Sequence, residues 1–509
     1  MLSSLYSLTY ILCLIALTKW FYFRENPERS ALARKFFYVT LAAFLVSWLF
    51  GEASFPYKMM VLGRELLVLA VVPVVLSLFR KKLRAFAVMV VLSAVVFRLF
   101  YFDALQSTFP HHAATMDAAA LDEGGELLAE IREGRSIADI QGTLKEYNLT
   151  ATPAFSPKDK AATDLDDYVL INVPPKFEHH LPEVKKALED TGVVEWLEEN
   201  EQITVAPIKV QRPTPRINKK YGINDPGLEY QWGFEAMNMD QLYDFLKDKK
   251  PVKKTLLAIL DTGVDAAHED LQANFVSTQA KYDYDKMGHG THCAGIAAAV
   301  SNNNKGIASF SQDNAFVQVT SIKVLSDGGY GTQKMIIDGI LEAADAGAGV
   351  ISLSLGGPSS DSKQRAYQKA VEYANRKGTI VLVAAGNSKT NARQYAPANT
   401  PGVIAVSAVD TLLDRANFSN YVQDLGMAVA APGVKIYSTF PGNQYKTMNG
   451  TSMATPYVSG LVSLMKSLKP SLTTEQAFAI LNKTGLETKG KRETGRLIQP
   501  AAAVRALLK

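Results

Sequence analysis

Three residues of this chain could together activate a hydroxyl. Ser452 lies in Asn449-Gly450-Thr451-Ser452-Met453-Ala454-Thr455-Pro456, where a turn passes into residues 457–468, which carry small and apolar side chains at helical spacing. A helix start offers unpaired N–H groups and a partial positive charge, and both suit an oxyanion forming beside the serine oxygen. Alone, such a Gly-Thr-Ser is more often a helix cap than a nucleophile. Asp261 ends an apolar run in Leu260-Asp261-Thr262-Gly263-Val264-Asp265, and His289 opens a helical pattern in Gly288-His289-Gly290-Thr291-His292-Cys293-Ala294-Gly295. A serine attacks a carbonyl only when a base takes its proton. An imidazole does this best when a carboxylate fixes its tautomer and steadies its charge. Asp261, His289 and Ser452 supply those three groups.

Groups so far apart in the chain need a scaffold to meet. From Thr255 onward, apolar strand-like runs at 255–260, 316–325, 350–355, 379–384 and 403–409 alternate with helical patterns near 290–300, 333–346 and 363–377. That alternation predicts an α/β fold with a mostly parallel, doubly wound sheet covered on both faces. In such sheets the chemistry gathers beyond the carboxyl ends of the strands.

The three motifs, in this order and with these neighbours, resemble the subtilisin-like serine proteases over residues 224–509. The resemblance implies that Asp261 orients, His289 acts as general base and acid, and Ser452 is the nucleophile, with His292 a packing or hydrogen-bonding residue in the same helix. It further implies that Asn387, in Ala384-Ala385-Gly386-Asn387, donates its amide to the oxyanion beside the Ser452 N–H. Ser354, Leu355 and Gly356 resemble the edge on which these enzymes pair an extended substrate, with Ala384, Ala385 and Gly386 as the opposite wall. Asp225, Asp270 and the Asn303 side chain, with the carbonyls of Val300, Lys305 and Ile307, match the family pattern for a structural calcium ion, Ca2+. Cys293 reads as a small buried residue, not a nucleophile.

The chain has 509 residues and a formal net charge of +4, a balance that argues against a nucleic-acid partner. Its only cysteines, Cys13 and Cys293, imply no disulfide framework. Residues 1–102 contain four long apolar runs, 2–23, 36–55, 59–79 and 85–102, each without the polar stripe of a soluble surface helix. At about 1.5 Å per residue, each approaches or exceeds what a hydrocarbon layer about 30 Å thick requires, so four transmembrane helices are expected. Arg24, Arg29, Arg34 and Lys35 fill the first loop, and Arg80, Lys81, Lys82 and Arg84 the third. Positive loops stay cytoplasmic, which places the N-terminus, and everything after Asp103, on the extracytoplasmic side of a multi-pass membrane protein. Arg64, Glu65 and Arg98 lie close enough to the outer face to reach the interface.

A tether is expected over 103–124. Residues 125–205 then read β-α-β-β-α-β, a small ferredoxin-like α+β domain. The stretch Glu189-Asp190-Thr191-Gly192-Val193-Val194-Glu195-Trp196-Leu197-Glu198-Glu199-Asn200 resembles the end of the inhibitory propeptides of subtilisin-like proteases. Residues 206–223, with three prolines among five basic residues, form an exposed linker where a cut is tolerated. The expectation is a membrane-anchored serine endopeptidase made as a self-inhibited precursor. Its partners are a protein or peptide substrate, its own propeptide-like domain and the lipid bilayer. The rival from another class is a catalytically silent subtilisin fold used as a binding or sensor module. A serine-directed fluorophosphonate separates the two, since only an activated Ser452 should label.

Overall fold

The computed structural model describes residues 2–49, 62, 64, 65, 68, 69, 127–174, 181–205, 208–210, 219–311, 314–359 and 365–509. The chain forms two units, Met1–Thr115 and Met116–Lys509.

In the first unit, helices Leu2–Tyr22 and Pro27–Leu49 are joined by a four-residue turn. The basic loop expected between the first two spans is mostly helix: Arg29, Arg34 and Lys35 belong to the second helix, which starts nine residues before the apolar run. The cause is local. Asn26 accepts the Arg29 N–H at 3.1 Å and Pro27 occupies the first helical position, so the helix is capped there whatever the hydropathy of the next turn. Among the described residues one helix, Pro27–Trp48, is long and apolar enough to cross a membrane, where four spans were expected; Thr9–Tyr22 is a shorter apolar stretch. The expected spans 59–79 and 85–102, and Arg98, lie largely or wholly outside the described residues. Tyr6, Tyr10 and Cys13 of the first helix pack around Phe44 of the second. Glu65 does not reach for an interface. It is buried among these helices, accepting from Arg64 Nη2 at 2.6 Å and the Tyr6 hydroxyl at 3.4 Å.

The second unit begins with a four-stranded antiparallel sheet. Its strands Leu127–Ile131, Thr150–Pro153, Tyr168–Asn172 and Val194–Glu199 lie in the spatial order second, third, first, fourth. Helices Gln141–Glu146 and Leu181–Glu189 complete the β-α-β-β-α-β order expected from the pattern. The first strand is buried on both faces. Leu127, Ala129 and Ile131 face the domain's own helices, while Leu128, with Tyr168 and Leu170, joins a core that includes Ile336, Ile340, Ala366 and Ala370 of the larger domain.

Seven parallel strands form the large sheet, in the order Arg496–Leu497, Ala428–Pro432, Val403–Val409, Ile380–Ala384, Val350–Leu353, Thr255–Asp261, Val317–Lys323. The first two were not expected, since Ala428–Pro432 is alanine-rich and ends in proline, and Arg496–Leu497 is too short to show a period. Helix Thr451–Leu468 is buried along its whole length and packs on one face of the sheet with His289–Ala298. Gln333–Asp345 and Arg365–Arg376 pack on the other face, between the sheet and the small domain. A helix hydrophobic all round must be a core element, and this one carries Ser452 at its second residue.

Candidate active site

Asp261 is the last residue of its strand and His289 the first of its helix. Asp261 Oδ1 and Oδ2 lie 2.7 and 2.9 Å from His289 Nδ1, and both side chains are buried. A carboxylate there requires Nδ1 to carry the proton and leaves Nε2 as the basic nitrogen. Burial pushes the imidazole's pKa down, but the Asp261 charge and hydrogen bond outweigh it, with Asp285 beyond, and hold it above the ordinary value. The histidine helix can approach this closely because Gly290 has no side chain. A Cβ there would stand 2.1 Å from the Gly263 carbonyl oxygen and 3.0 Å from Asp261 Cβ.

Ser452 is 8% exposed, and its hydroxyl donates to the Ser354 carbonyl at 2.9 Å. It lines the same cavity as the His289 imidazole. Pro456, four residues on, has no N–H to return to the Ser452 carbonyl. That carbonyl instead accepts from the Ser354 hydroxyl at 2.8 Å and the Cys293 thiol at 3.4 Å. Ser354 thus holds Ser452 twice. Cys293 is fully buried and its thiol is pushed well up by burial, consistent with a packing role. His292 is buried too, donates Nε2–H to the Lys446 carbonyl at 2.9 Å, and is pushed down to about 3, so it stays neutral.

Asn387 Oδ1 accepts both the backbone N–H and the hydroxyl of Thr451, each at 2.9 Å. Those bonds fix which end of the amide is oxygen and leave its NH2 as the donor on the cavity side. Thr451 also accepts from Gly386 N at 3.1 Å, so the residue before the serine locks the 384–387 segment to the helix Thr451–Leu468. Sequence reasoning missed Thr451, whose signal was only its place before Ser452.

A cavity of about 190 Å³ is lined by His289, Ser354, Leu355, Gly356, Ala384, Gly386, Asn387 and Ser452. Ala385 stands behind this wall: it is buried, its N–H bonds to Val406 and its carbonyl to Asn420. Thr204 and Val205 line the cavity as well. The segment before them, Gln202–Thr204, pairs antiparallel with Tyr330–Thr332, and the Val205 N–H donates to the Gly329 carbonyl at 2.8 Å. Gly357 faces the same segment, where a Cβ would stand 3.0 Å from Ile203 Cδ1. Beyond the cavity, Ile208–Val210 pairs antiparallel with Gln444–Asn449, the strand leading to Ser452. The edges Tyr330–Thr332 and Thr447–Asn449 carried no sequence signal, because backbone pairing does not depend on side-chain type.

Asp225 and Asp270 are buried along the 300–307 loop, which follows the C-terminal end of the histidine helix. Asp225 accepts the N–H groups of Asn302 and Asn303 at 2.6 and 3.0 Å. Asp270 accepts from Asn303 Nδ2 and the Ile307 N–H, each at 2.8 Å. Burial pushes both carboxyls up, Asp270 to about 7, and among the described residues no basic side chain donates to either. Asn303 Oδ1 accepts the Lys305 N–H, and the Val300 N–H bonds to the Asp270 carbonyl. Two buried carboxylates that both accept from Asn303 and receive no basic side chain among the described residues are the kind of donors a hard cation takes, so these residues fit calcium.

The profile of the subtilase family, peptidase S8, matches residues 252–498. A thermophilic serine proteinase of Bacillus sp. (strain AK1) is 36% identical over 349 residues, 67% of this chain and 78% of that protein. Thermitase of Thermoactinomyces vulgaris is 41% identical over 253 residues, 48% of this chain and 86% of its own. Subtilisin DY of Bacillus licheniformis is 42% identical over 235 residues, 45% of this chain and 82% of its own. A solved protease structure from Pseudoalteromonas arctica is 30% identical, with a TM-score of 0.49, over 56% of this chain and 99% of its own. The chain belongs to the subtilase family. It is a serine endopeptidase with the family's large parallel sheet.

Proposed function

We propose that this is a membrane-anchored, multi-pass endopeptidase that hydrolyses peptide bonds through an acyl-enzyme on Ser452 and is made as a self-inhibited precursor. The observation that carries the chemistry is the 2.7 Å contact of Asp261 with His289, whose side chain lines the cavity that Ser452 and Asn387 also line. His289 Nε2 takes the hydroxyl proton as Ser452 Oγ attacks the carbonyl carbon, and Asp261 steadies the resulting imidazolium. The Asn387 amide and the Ser452 N–H receive the oxyanion. His289 then gives its proton to the leaving nitrogen, and water repeats the sequence in reverse to free the acid. The apolar helices Leu2–Tyr22 and Pro27–Leu49 support the anchor, with the catalytic domain on the extracytoplasmic side.

Self-inhibition is supported by the way the small domain meets the larger one. Glu130 pairs with Arg365 at 3.2 Å and Lys369 at 3.1 Å, and Glu198 accepts the Ala366 N–H at 3.2 Å. Asn200 accepts the Lys334 N–H at 2.9 Å, and the Glu201 carbonyl accepts the Gln333 N–H at 2.7 Å. These acceptors cover the N-terminal amides of two helices, where negative groups are favoured. The tail that follows runs as a strand on each side of the catalytic cavity. Self-cleavage is expected between about Val205 and Asn224, and on this reading it falls at the near end, within residues 205–208. N-terminal sequencing of the protease-bearing fragment from active membranes should begin at Ala206, Pro207 or Ile208, and the Ser452→Ala chain should stay uncut. Finding only uncut chain in active wild-type membranes would count against processing.

Calcium, when bound at Asp225, Asp270, Asn303 and the carbonyls of Val300, Lys305 and Ile307, supplies positive charge that ties the 300–307 loop to the buried carboxylates. At 100 times the dissociation constant a bound ion contributes about 2.7 kcal/mol. Chelation is therefore expected to lower the thermal midpoint of the protease by about 5–10 °C, and Asp270→Asn should abolish that response. A midpoint indifferent to chelator would remove the ion from the account.

A further inference from the structure

We propose that Asp285 is a positioning residue of this protease, a second buried carboxylate that acts on the reaction through His289. The inference rests on the triad reading above.

Asp285 precedes His289 by four residues and is 5% exposed. Its Oδ1 accepts the Gly288 N–H at 2.8 Å, the Met287 N–H at 3.1 Å and the Thr262 hydroxyl at 2.9 Å. Its Oδ2 accepts the N–H and the hydroxyl of Thr291 at 2.9 and 2.8 Å. One carboxylate thus closes the turn into the histidine helix and holds that helix's first residues on the other side of the imidazole. Thr262 completes the frame. While donating to Asp285 it accepts the Gly290 N–H at 3.0 Å, and it is the residue after Asp261. The backbone before and after His289 is therefore tied to the chain position that carries the orienting carboxylate. A displacement of about 1 Å between such groups costs about 100-fold in rate.

The charge matters beside the geometry. All five groups that contact Asp285 are neutral donors, and donors on both oxygens satisfy the ionised form. Among the described residues no basic side chain donates to it. The charged and titratable groups around His289 are Asp261 on its strand, Asp285 on the turn, and His292 and Cys293 on its own helix, the last two kept uncharged by burial. On the neighbouring strand, Lys323 binds the Thr262 carbonyl and Asp327, which also pairs with Lys286 at 2.7 Å. Asp285 therefore adds to the negative field of Asp261 and favours the imidazolium that forms when Ser452 gives up its proton. Its charge raises the His289 pKa alongside that of Asp261.

The test uses the full chain in membranes with Asp285→Asn, Thr262→Val and Thr262→Ser, with active sites counted by fluorophosphonate labelling taken to completion. For Asp285→Asn, kcat per labelled site should fall about tenfold or more with KM little changed. The acid limb of its kcat/KM profile should move to lower pH by about 0.5–1 unit, because removing a negative charge makes the imidazole easier to deprotonate. Thr262→Val should lower kcat without moving that limb, and Thr262→Ser should restore it. An unmoved acid limb in Asp285→Asn, or full kcat in Thr262→Val, would overturn the proposal. If Asp285→Asn does not fold, the two threonine variants decide by kcat alone. Ser452→Ala in the same series keeps the two readings apart: inactivity there with normal Asp285 and Thr262 variants sinks only this inference.

Discussion

Ser452→Ala is expected to lower kcat on a peptide substrate by about 10⁶-fold, the size established for loss of this nucleophile in subtilisin, a relative. The Ser452 hydroxyl and the His289 imidazole line one cavity, and the Ser452 carbonyl is held by the Ser354 hydroxyl and the Cys293 thiol. Removing the Ser452 hydroxyl deletes the acyl-enzyme route and leaves only substrate positioning and the oxyanion donors, which retain about 10³–10⁴-fold over water. KM should change little, since the segments proposed to pair the substrate backbone, Ser354, Leu355 and Gly356 with Ala384 and Gly386, are left intact. Cleavage of casein by purified Ser452→Ala as fast as by wild type would refute the assignment.

Asn387→Asp should lower kcat by at least about 10²–10³-fold, the general cost of losing one oxyanion donor, again a subtilisin magnitude. The choice of aspartate isolates the donor. Asn387 Oδ1 accepts twice from Thr451, and an alanine would free that residue together with the wall it locks. Aspartate keeps an acceptor toward Thr451 and turns an acceptor, carrying charge, toward the oxyanion. KM within about threefold of wild type would show a loss confined to the transition state. A variant with wild-type kcat would remove Asn387 from the oxyanion site.

The placement of Asp261, His289 and Ser452 was legible because each sits where local sequence already dictates structure: the end of an apolar run, and two helix starts flanked by glycine. Sheet strands of five to seven apolar residues were legible for the same reason, and the small domain by its alternation of periods. What was not legible depends on long-range packing. Asp285 looks like any loop acid until folding brings Thr262 against it from 23 positions earlier in the chain. Ala385 shares a motif with Asn387, yet the strand turns its backbone toward Val406 and Asn420 and away from the cavity. The start of the helix Pro27–Leu49 was hidden by hydropathy, which ignores a cap such as Asn26. Glu65 reads as a residue bound for an interface until Tyr6, 59 residues away, meets it.

The account depends most on one serine being made nucleophilic by one histidine. Peptide mapping of the fluorophosphonate-treated chain tests this most directly. The adduct should sit on Ser452 in wild type and be lost in His289→Ala. An adduct on another residue, or undiminished labelling of Ser452 without His289, would contradict it.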